Sequence, residues 1–484
     1  MTVNYFIECP ICKTITRMRS PAGYIYSTPV RIHCGNCNTL LTGEFISDEK
    51  RTKAYFIGKN CKEVQQQDYS YYGETSGEIL SKKIVPFNGT KEHLFHPTPS
   101  PVFDNFSLMD LNEMESFIDY SCYVSNLSSK WDKEYIKYSL YLNSKYDLIR
   151  ENYSNNAKLC GYKLDTDFGV LKYIYYSLFF DCAGIFKSSV LRTNFFDANN
   201  HFRHLNRNAI FDYVNYLESS DRLNSAQEKV FGIFFDFIKI FDYIIPALGS
   251  TFYIDSSKID KKIKGISTCT FEDVKHFYQN AFEVLSEYSD IVVGLDNIEI
   301  RDSFNIFTNS FDMDKFVKSQ RKGNRIKFLD KNEFFSGLFD LAGDSNELRN
   351  AIGHNDYRYD GIIQEISYTY KDEDKKAYLL DVCVECVKLM KSAYILAFYI
   401  YELLRYKHRV SDESITLNPL FYVKTNGQDR CPCGSGRKYR SCCKSAIEST
   451  KKNFNKKTYP IRANTFIKGD DFLKKFNIIY KSIK

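Results

Sequence analysis

Val230-Phe-Gly-Ile-Phe-Phe-Asp236-Phe-Ile-Lys239-Ile-Phe-Asp242-Tyr-Ile-Ile-Pro246-Ala-Leu-Gly249 is the chain's nearest approach to a membrane span. Asp236, Lys239 and Asp242 interrupt it every third residue. That spacing lines the three charges along one helical stripe, the pattern of a buried helix with one polar edge. No uninterrupted apolar run of about 18 residues or more exists elsewhere, so no membrane span and no membrane partner are expected. Pro246 adds a second signal. Of the 11 prolines, seven precede residue 102 and three follow residue 418. Proline breaks the helical hydrogen-bond ladder, so the region between, with Pro246 alone, reads as mostly helix. The expected fold is mainly α: a large helical body flanked by a small N-terminal β module and a small C-terminal module.

The 484 residues suggest two to four domains at roughly 150 residues each. A chain of this size buries a core without disulfide staples. Its 43% hydrophobic and 26% charged residues exclude global disorder. The net charge of +6 is compatible with nucleic acid without implying it. The 39 Phe and 37 Tyr, with 1 Trp, predict a Phe/Tyr-packed helical core. Met1-Thr2-Val3-Asn4-Tyr5 lacks the charged-then-apolar layout of an export signal. The 15 Cys then point to reduced thiols and metal, and to a soluble, cytoplasmic protein.

Pro97-Thr98-Pro99-Ser100-Pro101 reads as an extended linker, and Ser411-Asp412-Glu413-Ser414 with Pro419 closes the helical body. The expected segments are a metal-binding β module (1–60), a connection and linker (61–101), and a first helical lobe (102–265). A second helical domain (266–410), a cysteine module (426–446) and a basic aromatic tail (447–484) follow.

Two cysteine constellations stand out. Cys9-Pro10-Ile11-Cys12 and Cys34-Gly35-Asn36-Cys37 form two C-x2-C pairs, with a β-prone stretch between Tyr24 and Ile32 that predicts a short hairpin. Two tight turns each offering two thiolates suit tetrahedral zinc, and the pattern looks like a zinc ribbon. Four cysteines close the site, which makes it structural. Cys431-Pro432-Cys433-Gly434-Ser435-Gly436-Arg437-Lys438-Tyr439-Arg440-Ser441-Cys442-Cys443 is C-x-C-x8-C-C. It closely resembles the SEC-C zinc module, found at the C-terminus of the preprotein translocase motor ATPase and in many unrelated proteins. The resemblance implies a zinc held by Cys431, Cys433, Cys442 and Cys443, hence two structural zinc ions in all. Arg430, Arg437, Lys438, Arg440 and Lys444 make this module basic. Members of the family contact proteins, ribosomes or nucleic acid. Gly434–Lys438 lacks phosphate-loop spacing, and no other Walker-like loop occurs, so a translocation motor is not expected. Cys383-Val384-Glu385-Cys386 lies in a helical stretch and reads as core. His201 and His204 have helical spacing but no visible further ligand.

Leu348-Arg349-Asn350-Ala351-Ile352-Gly353-His354-Asn355-Asp356 is the segment that carries chemistry. Asp344-Ser345-Asn346-Glu347 before it looks like a capping box, which places Arg349, Asn350 and His354 in the first three turns of a helix. Asn350 and His354 share a face, and Arg349 folds over the same spot. Gly353 costs the helix roughly 1 kcal/mol against Ala, which suggests a close approach by a helix or substrate. A helix N-terminus also favours an anion nearby. Such a patch suits phosphodiester chemistry, with His354 taking the 2′-hydroxyl proton of RNA and Arg349 stabilising charge on the phosphate.

This segment looks like the R-x4-6-H motif of HEPN domains, helical modules of many bacterial and archaeal ribonuclease toxins and defence proteins. The resemblance implies Arg349 and His354 as catalytic residues, Asn350 as the positioning residue, and metal-independent cleavage leaving a 2′,3′-cyclic phosphate. It also implies pairing of two motif helices, as a homodimer or as an internal pseudo-dimer. Arg207-Asn208-Ala209-Ile210 echoes Arg349-Asn350-Ala351-Ile352, with Asp212 where His354 stands, so the first lobe reads as a degenerate HEPN-like copy. In the tail, Lys451, Lys452, Lys456 and Lys457 begin a basic run interleaved with Phe454, Tyr459, Phe466, Phe472, Phe476 and Tyr480. That mixture suits phosphate contact and base stacking, or equally an amphipathic helix docked by its aromatics. The leading expectation is a HEPN-type endoribonuclease acting in anti-phage defence on tRNA, rRNA or mRNA under a phage-derived trigger. The alternative is a non-catalytic RNA- or ribosome-binding adaptor with two zinc modules. A translocase or chaperone accessory role rests on SEC-C alone.

Overall fold

The computed structural model describes residues 2–48, 52–87, 101–159, 162–183, 204–308, 311–320, 322–329 and 343–408, with short pieces between 185 and 202 and between 423 and 468. The architecture is mainly α with a small N-terminal β module.

Strands β1 (Thr2–Glu8) and β2 (Ile15–Pro21) form one antiparallel hairpin, with Glu8 opposite Ile15. Strands β3 (Ser27–His33) and β4 (Leu40–Ser47) form a second, with His33 opposite Leu40. β5 (Ala54–Gly58) pairs with β4 and β6 (Lys62–Val64) with β1. β7 (Tyr71–Glu74) runs parallel to β2. β8 (Ser81–Lys82) pairs with the later strand Lys264–Gly265, and β9 (Val85–Pro86) pairs with β7. The sheet orders are β6-β1-β2-β7-β9 and β3-β4-β5. Period-two alternation buries Met18 from β2, Val30 and Ile32 from β3, and Leu41 and Phe45 from β4 in one core with Tyr5, Ile7 and Phe56. Tyr5 stacks on Phe56 at 5.0 Å.

Two expectations need correction here. The hairpin expected within 24–32 is a single strand, and the chain reverses at the second cysteine pair instead. The stretch 61–86, expected as a connection, supplies β6 to β9. β7 and β6 cover flanks of the β1–β2 hairpin that two isolated hairpins would leave unpaired.

The helices are α1 (Pro101–Phe106), α2 (Leu111–Ser128), α3 (Trp131–Leu142), α4 (Tyr146–Leu159), α5 (Asp167–Ala183), α6 (Arg207–Ser219), α7 (Arg222–Gly249), α8 (Phe271–Glu287), α9 (Ser289–Arg301), α10 (Met313–Ser319), α11 (Lys322–Arg325), α12 (Gly343–Gly353) and α13 (Leu379–Lys407). α7 contains Pro246. Its charged stripe is partnered: Asp236 takes Lys239 at 2.8 Å and Asn280 at 2.8 Å, and Asp242 accepts from the Ser128 hydroxyl at 2.6 Å. Among the described residues, no helix is long and apolar enough to cross a membrane.

Between α12 and α13 lies an antiparallel sheet of β11 (Tyr357–Asp360), β12 (Glu365–Tyr370) and β13 (Glu373–Tyr378), with β10 the strand Lys264–Gly265. The reading of 266–410 as helical missed it. Its β12–β13 turn is Lys371-Asp372, with φ of 50° and 66°, the two left-handed residues of a type I′ hairpin.

The chain divides into two compact units, each discontinuous in sequence. The first comprises Met1–Ser129, Asp236–Phe282 and Leu341–Met390. It holds the β module, α1, α2, α12 and the β11–β13 sheet. The second comprises Lys130–Phe235, Glu283–Asp340 and Lys391–Lys484. Its core is the packed Phe/Tyr interior that the composition predicts: Tyr175 meets Phe231 at 5.6 Å and Tyr401 at 5.1 Å, and Phe179 meets Tyr394 at 5.3 Å. Gln227 satisfies the buried hydroxyls of Tyr141 and Tyr175 at 3.0 and 2.9 Å.

Candidate functional site

The four N-terminal cysteines converge. The Sγ atoms of Cys9, Cys12, Cys34 and Cys37 all lie within 4.8 Å of one another. Cys9 and Cys37 are 3.6 Å apart and Cys12 and Cys34 are 3.5 Å apart. Thiolates at 2.3 Å from zinc in a tetrahedron stand about 3.8 Å apart, so the cage fits that ion. Both pairs are built alike. Cys9 N donates to Thr14 O and Lys13 N to Cys9 O; Cys34 N donates to Thr39 O and Asn38 N to Cys34 O. Lys13 and Asn38 adopt left-handed φ of 60° and 59° at equivalent places. Thr14 and Thr39 each set a hydroxyl 3.2 Å from a thiol, of Cys12 and Cys37. The Thr14 hydroxyl holds the Cys12 thiol down to about 5, Thr39 lowers Cys37, and burial pushes Cys34 up to about 12. Cys61, a fifth sulfur, donates to Thr42 O instead.

The Arg349–His354 segment lies in the same unit, and its helix opens beside the expected capping box but stops before His354. α12 opens at Gly343, and His354 lies just past its end. His354 N donates to Asn350 O at 3.0 Å, Asn355 N to Ile352 O at 3.1 Å, and Asp356 N to Ala351 O at 2.8 Å. With Asn355 at φ 56°, these bonds form a Schellman cap. Arg349, Asn350 and His354 therefore occupy the C-terminal end of the helix, and the argument from an anion at a helix N-terminus does not reach them. Leu348, Ala351 and Ile352 form the buried stripe. Arg349 and Asn350 are half-buried, and His354 is exposed.

The neighbours of this segment on α8 and β13 were invisible to sequence reasoning. The Arg349 guanidinium lies 5.3 Å from the ring centroid of Phe282 on α8. Gln279, one turn earlier on α8, sets its Nε2 3.4 Å from where a Cβ on Gly353 would stand. That is ordinary van der Waals distance, so among the described residues nothing requires glycine there, contrary to the close approach expected. Lys275 Nζ donates to the Tyr357 hydroxyl at 2.9 Å, and that hydroxyl donates to Glu272 at 3.3 Å. Glu272 in turn raises the Lys275 ammonium above its ordinary range. Glu347 pairs with Lys375 of β13 at 2.9 Å, fastening α12 to the sheet. No local pattern in one sequence connects 272–282 with 349–357.

The other predicted residues scatter. In α6, Asn206 caps the helix by accepting from Asn208 N and Ala209 N. Its Arg-Asn-Ala-Ile run thus opens a helix, whereas the run at Arg349 nearly closes one. The echo in sequence is not an echo in helical position. His201 Nε2 is bonded to Glu299 at 2.6 Å, and His204 is exposed. Cys383 and Cys386 are buried, with Cys383 3.7 Å from Cys269. Lys438 and Arg440 are exposed beside buried Tyr439, and Arg440 N donates to Gly427 O at 3.0 Å. Cys431, Cys433, Arg437, Cys442, Cys443, Lys451, Lys452, Lys456 and Lys457 lie outside the described residues.

Residues 429–445 match the SEC-C motif. The chain is similar to the protein translocase subunit SecA of Clostridium kluyveri, 26% identical over 268 residues, which covers 46% of this chain and 31% of that protein. The chain thus spans about a third of the length of that curated relative. No solved structure matches.

Proposed function

We propose that this chain is a metal-independent endoribonuclease of the HEPN type, acting in anti-phage defence in the cytoplasm. One observation carries the reading: an exposed imidazole, His354, on a hydrogen-bonded helix cap, with Asn350 and Arg349 on the turn before it. His354 accepts the proton of an RNA 2′-hydroxyl. The 2′-oxygen attacks the adjacent phosphorus and the bond to the 5′-oxygen breaks, leaving a 2′,3′-cyclic phosphate and a 5′-hydroxyl whose proton comes from water. Arg349 stabilises the charge on the phosphate, and Asn350 orients it. Two zinc ions, one on Cys9, Cys12, Cys34 and Cys37 and one on Cys431, Cys433, Cys442 and Cys443, hold the terminal modules folded. Those modules, with Arg437, Lys438, Arg440 and the tail lysines, recognise RNA or a ribosome. Pairing of motif helices is sought between two copies of the chain, since α6 carries its Arg-Asn at the wrong end.

Wild type and His354→Ala are incubated with total cellular RNA and no added divalent metal, and ends are mapped by sequencing. Cuts with cyclic-phosphate ends that vanish in the variant support the reading. RNA binding without cuts from either protein, under phage infection as well as in vitro, would overturn it. The SEC-C match favours a second reading, a non-catalytic RNA- or ribosome-binding adaptor. Its signature is RNA binding lost on replacing the tail lysines, with no cleavage under any trigger.

A further inference from the structure

Strand β3 alternates. Val30 and Ile32 are buried in the β-module core with the cysteines, at 1% and 5% exposure. Arg31 and His33 therefore leave by the opposite face. Cys34 follows His33 directly and falls on the core face with Val30 and Ile32, so the link from His33 to the second cysteine pair runs through the backbone and the knuckle loop.

We infer that His33 and Arg31 are positioning residues for the Arg349–His354 site, and that metal on the four cysteines is a condition for that site's geometry. This rests on the reading of the site given above. His33 bridges two structures. Its Nδ1 donates to Asn38 O at 2.9 Å, inside the loop that carries Cys34 and Cys37. Its ring also fills the space over Gly361, where a Cβ would run into His33 Cδ2 and Nε2. Gly361 opens the turn from β11 to β12, and β11 begins three residues after His354. Tyr359 of β11 meets the His33 ring edge-on at 6.0 Å and packs on Phe271, which meets Tyr357 at 5.2 Å.

Arg31 makes the second link. Its Nε bonds Asp273 Oδ2 at 2.6 Å, and its backbone N donates to Ser267 O at 2.8 Å. Asp273 accepts from Thr270 N and Thr270 Oγ1, both at 2.7 Å, and so caps α8. α8 carries Phe282 under Arg349 and Gln279 beside Gly353. Two residues of one strand thus hold the two elements that flank the motif: α8 through Arg31 and β11 through His33. The loop between Cys34 and Cys37 anchors His33 only while it keeps its knuckle form, and four metal–thiolate bonds are what fix that form. The metal would take no part in chemistry and would still be needed for it.

The test compares full-length zinc-loaded wild type, wild type stripped with a chelator, and zinc-loaded His33→Ala. Metal content, hydrogen exchange and cleavage of a single-stranded RNA are read for each. His33→Ala keeps all four cysteines and is expected to keep its zinc. Exchange over 351–370 should nevertheless rise about tenfold, and kcat should fall about tenfold with KM unchanged. Stripping wild type should give the same exchange pattern, and stripping His33→Ala should add little over 351–370. Gly361→Ala strikes the same contact from the other side without touching β3, and should reproduce the effect if His33→Ala misfolds. Unchanged exchange over 351–370 in metal-loaded His33→Ala and Gly361→Ala would overturn the inference. So would stripping that loosens 2–64 and leaves 351–370 protected. A wild type that cleaves nothing counts against the ribonuclease reading alone, because the exchange data decide the coupling without it.

Discussion

Replacing Gly353 with Ala separates a structural glycine from a functional one. Gly353 is the last residue of α12 and is helical. A Cβ there meets Gln279 Nε2 at 3.4 Å, the far end of a flexible side chain, and, beyond its chain neighbours and its own helix, no other atom of the described residues within 4 Å. The substitution therefore adds no clash. Alanine is favoured over glycine by about 0.8–1.0 kcal/mol inside a helix. At the last helical position, where fraying already occurs, about half of that survives, or ~0.5 kcal/mol. The unit is one of two, so global unfolding is a poor readout, and native-state exchange of amides 350–356 is the better one. A gain of ~0.5 kcal/mol slows their exchange about twofold. Faster exchange in Gly353→Ala would refute the geometry argued here. Slower exchange together with a drop in RNA cleavage would show that a substrate, and no part of the protein, needs the space.

Three further outcomes follow from named contacts. Asn355 sits at φ 56°, so Asn355→Val should destabilise the α12 cap by about 1–2 kcal/mol while Asn355→Gly is tolerated, as exchange at Asp356 would register. Burial holds the Lys130 ammonium down to about 7. Between that value and its unfolded pKa near 10.4, the unfolded chain binds a proton that the folded chain lacks, so stability rises with pH. Below pH 7 both states are protonated and the contribution is flat. Comparing denaturant midpoints of wild type and Lys130→Met from pH 7 to 9 should reveal this slope, up to about 1.4 kcal/mol per pH unit, as an excess in wild type over the variant. Cys9→Ser should lose one bound zinc by metal analysis and unfold 2–64, because a structural zinc supplies about 10–16 kcal/mol of apparent folding free energy in small modules.

What the sequence made legible follows from how local each signal is. The two C-x2-C pairs were readable because a zinc knuckle is a short turn whose ligands, Gly35 and left-handed Asn38 all fall within a few residues. The helical body was readable from Pro246 standing alone. The β11–β13 sheet was not. Its turn, Lys371-Asp372, lacks the Asn-Gly or Asp-Gly pair that announces a type I′ hairpin, and both flanks are helical. The end of α12 was misread for a related reason. Asp344–Glu347 resembles a helix start strongly enough to mask Gly353-His354-Asn355, where Asn355 does the work that a C-cap glycine usually does. The neighbours on α8 were out of reach altogether, since only the packing of α12 against α8 brings Phe282 to Arg349.

In the proposed ribonuclease, the place of the motif at the end of α12 decides which groups would meet phosphate. Backbone N–H groups at a helix start would have shared that task; at a helix end, carbonyl groups stand there instead and Arg349 is left to carry it. Its guanidinium lies 5.3 Å from the centroid of the Phe282 ring, a cation–π contact in place before any phosphate arrives. Lysine keeps the charge and loses both the plane and the stacking. If preorganised bidentate contact matters, Arg349→Lys should lower kcat/KM about tenfold or more while leaving the fold intact, and Phe282→Leu should lower it less but in the same direction. If charge alone suffices, Arg349→Lys cleaves like wild type, and the stacking on Phe282 is packing of an ordinary half-buried arginine.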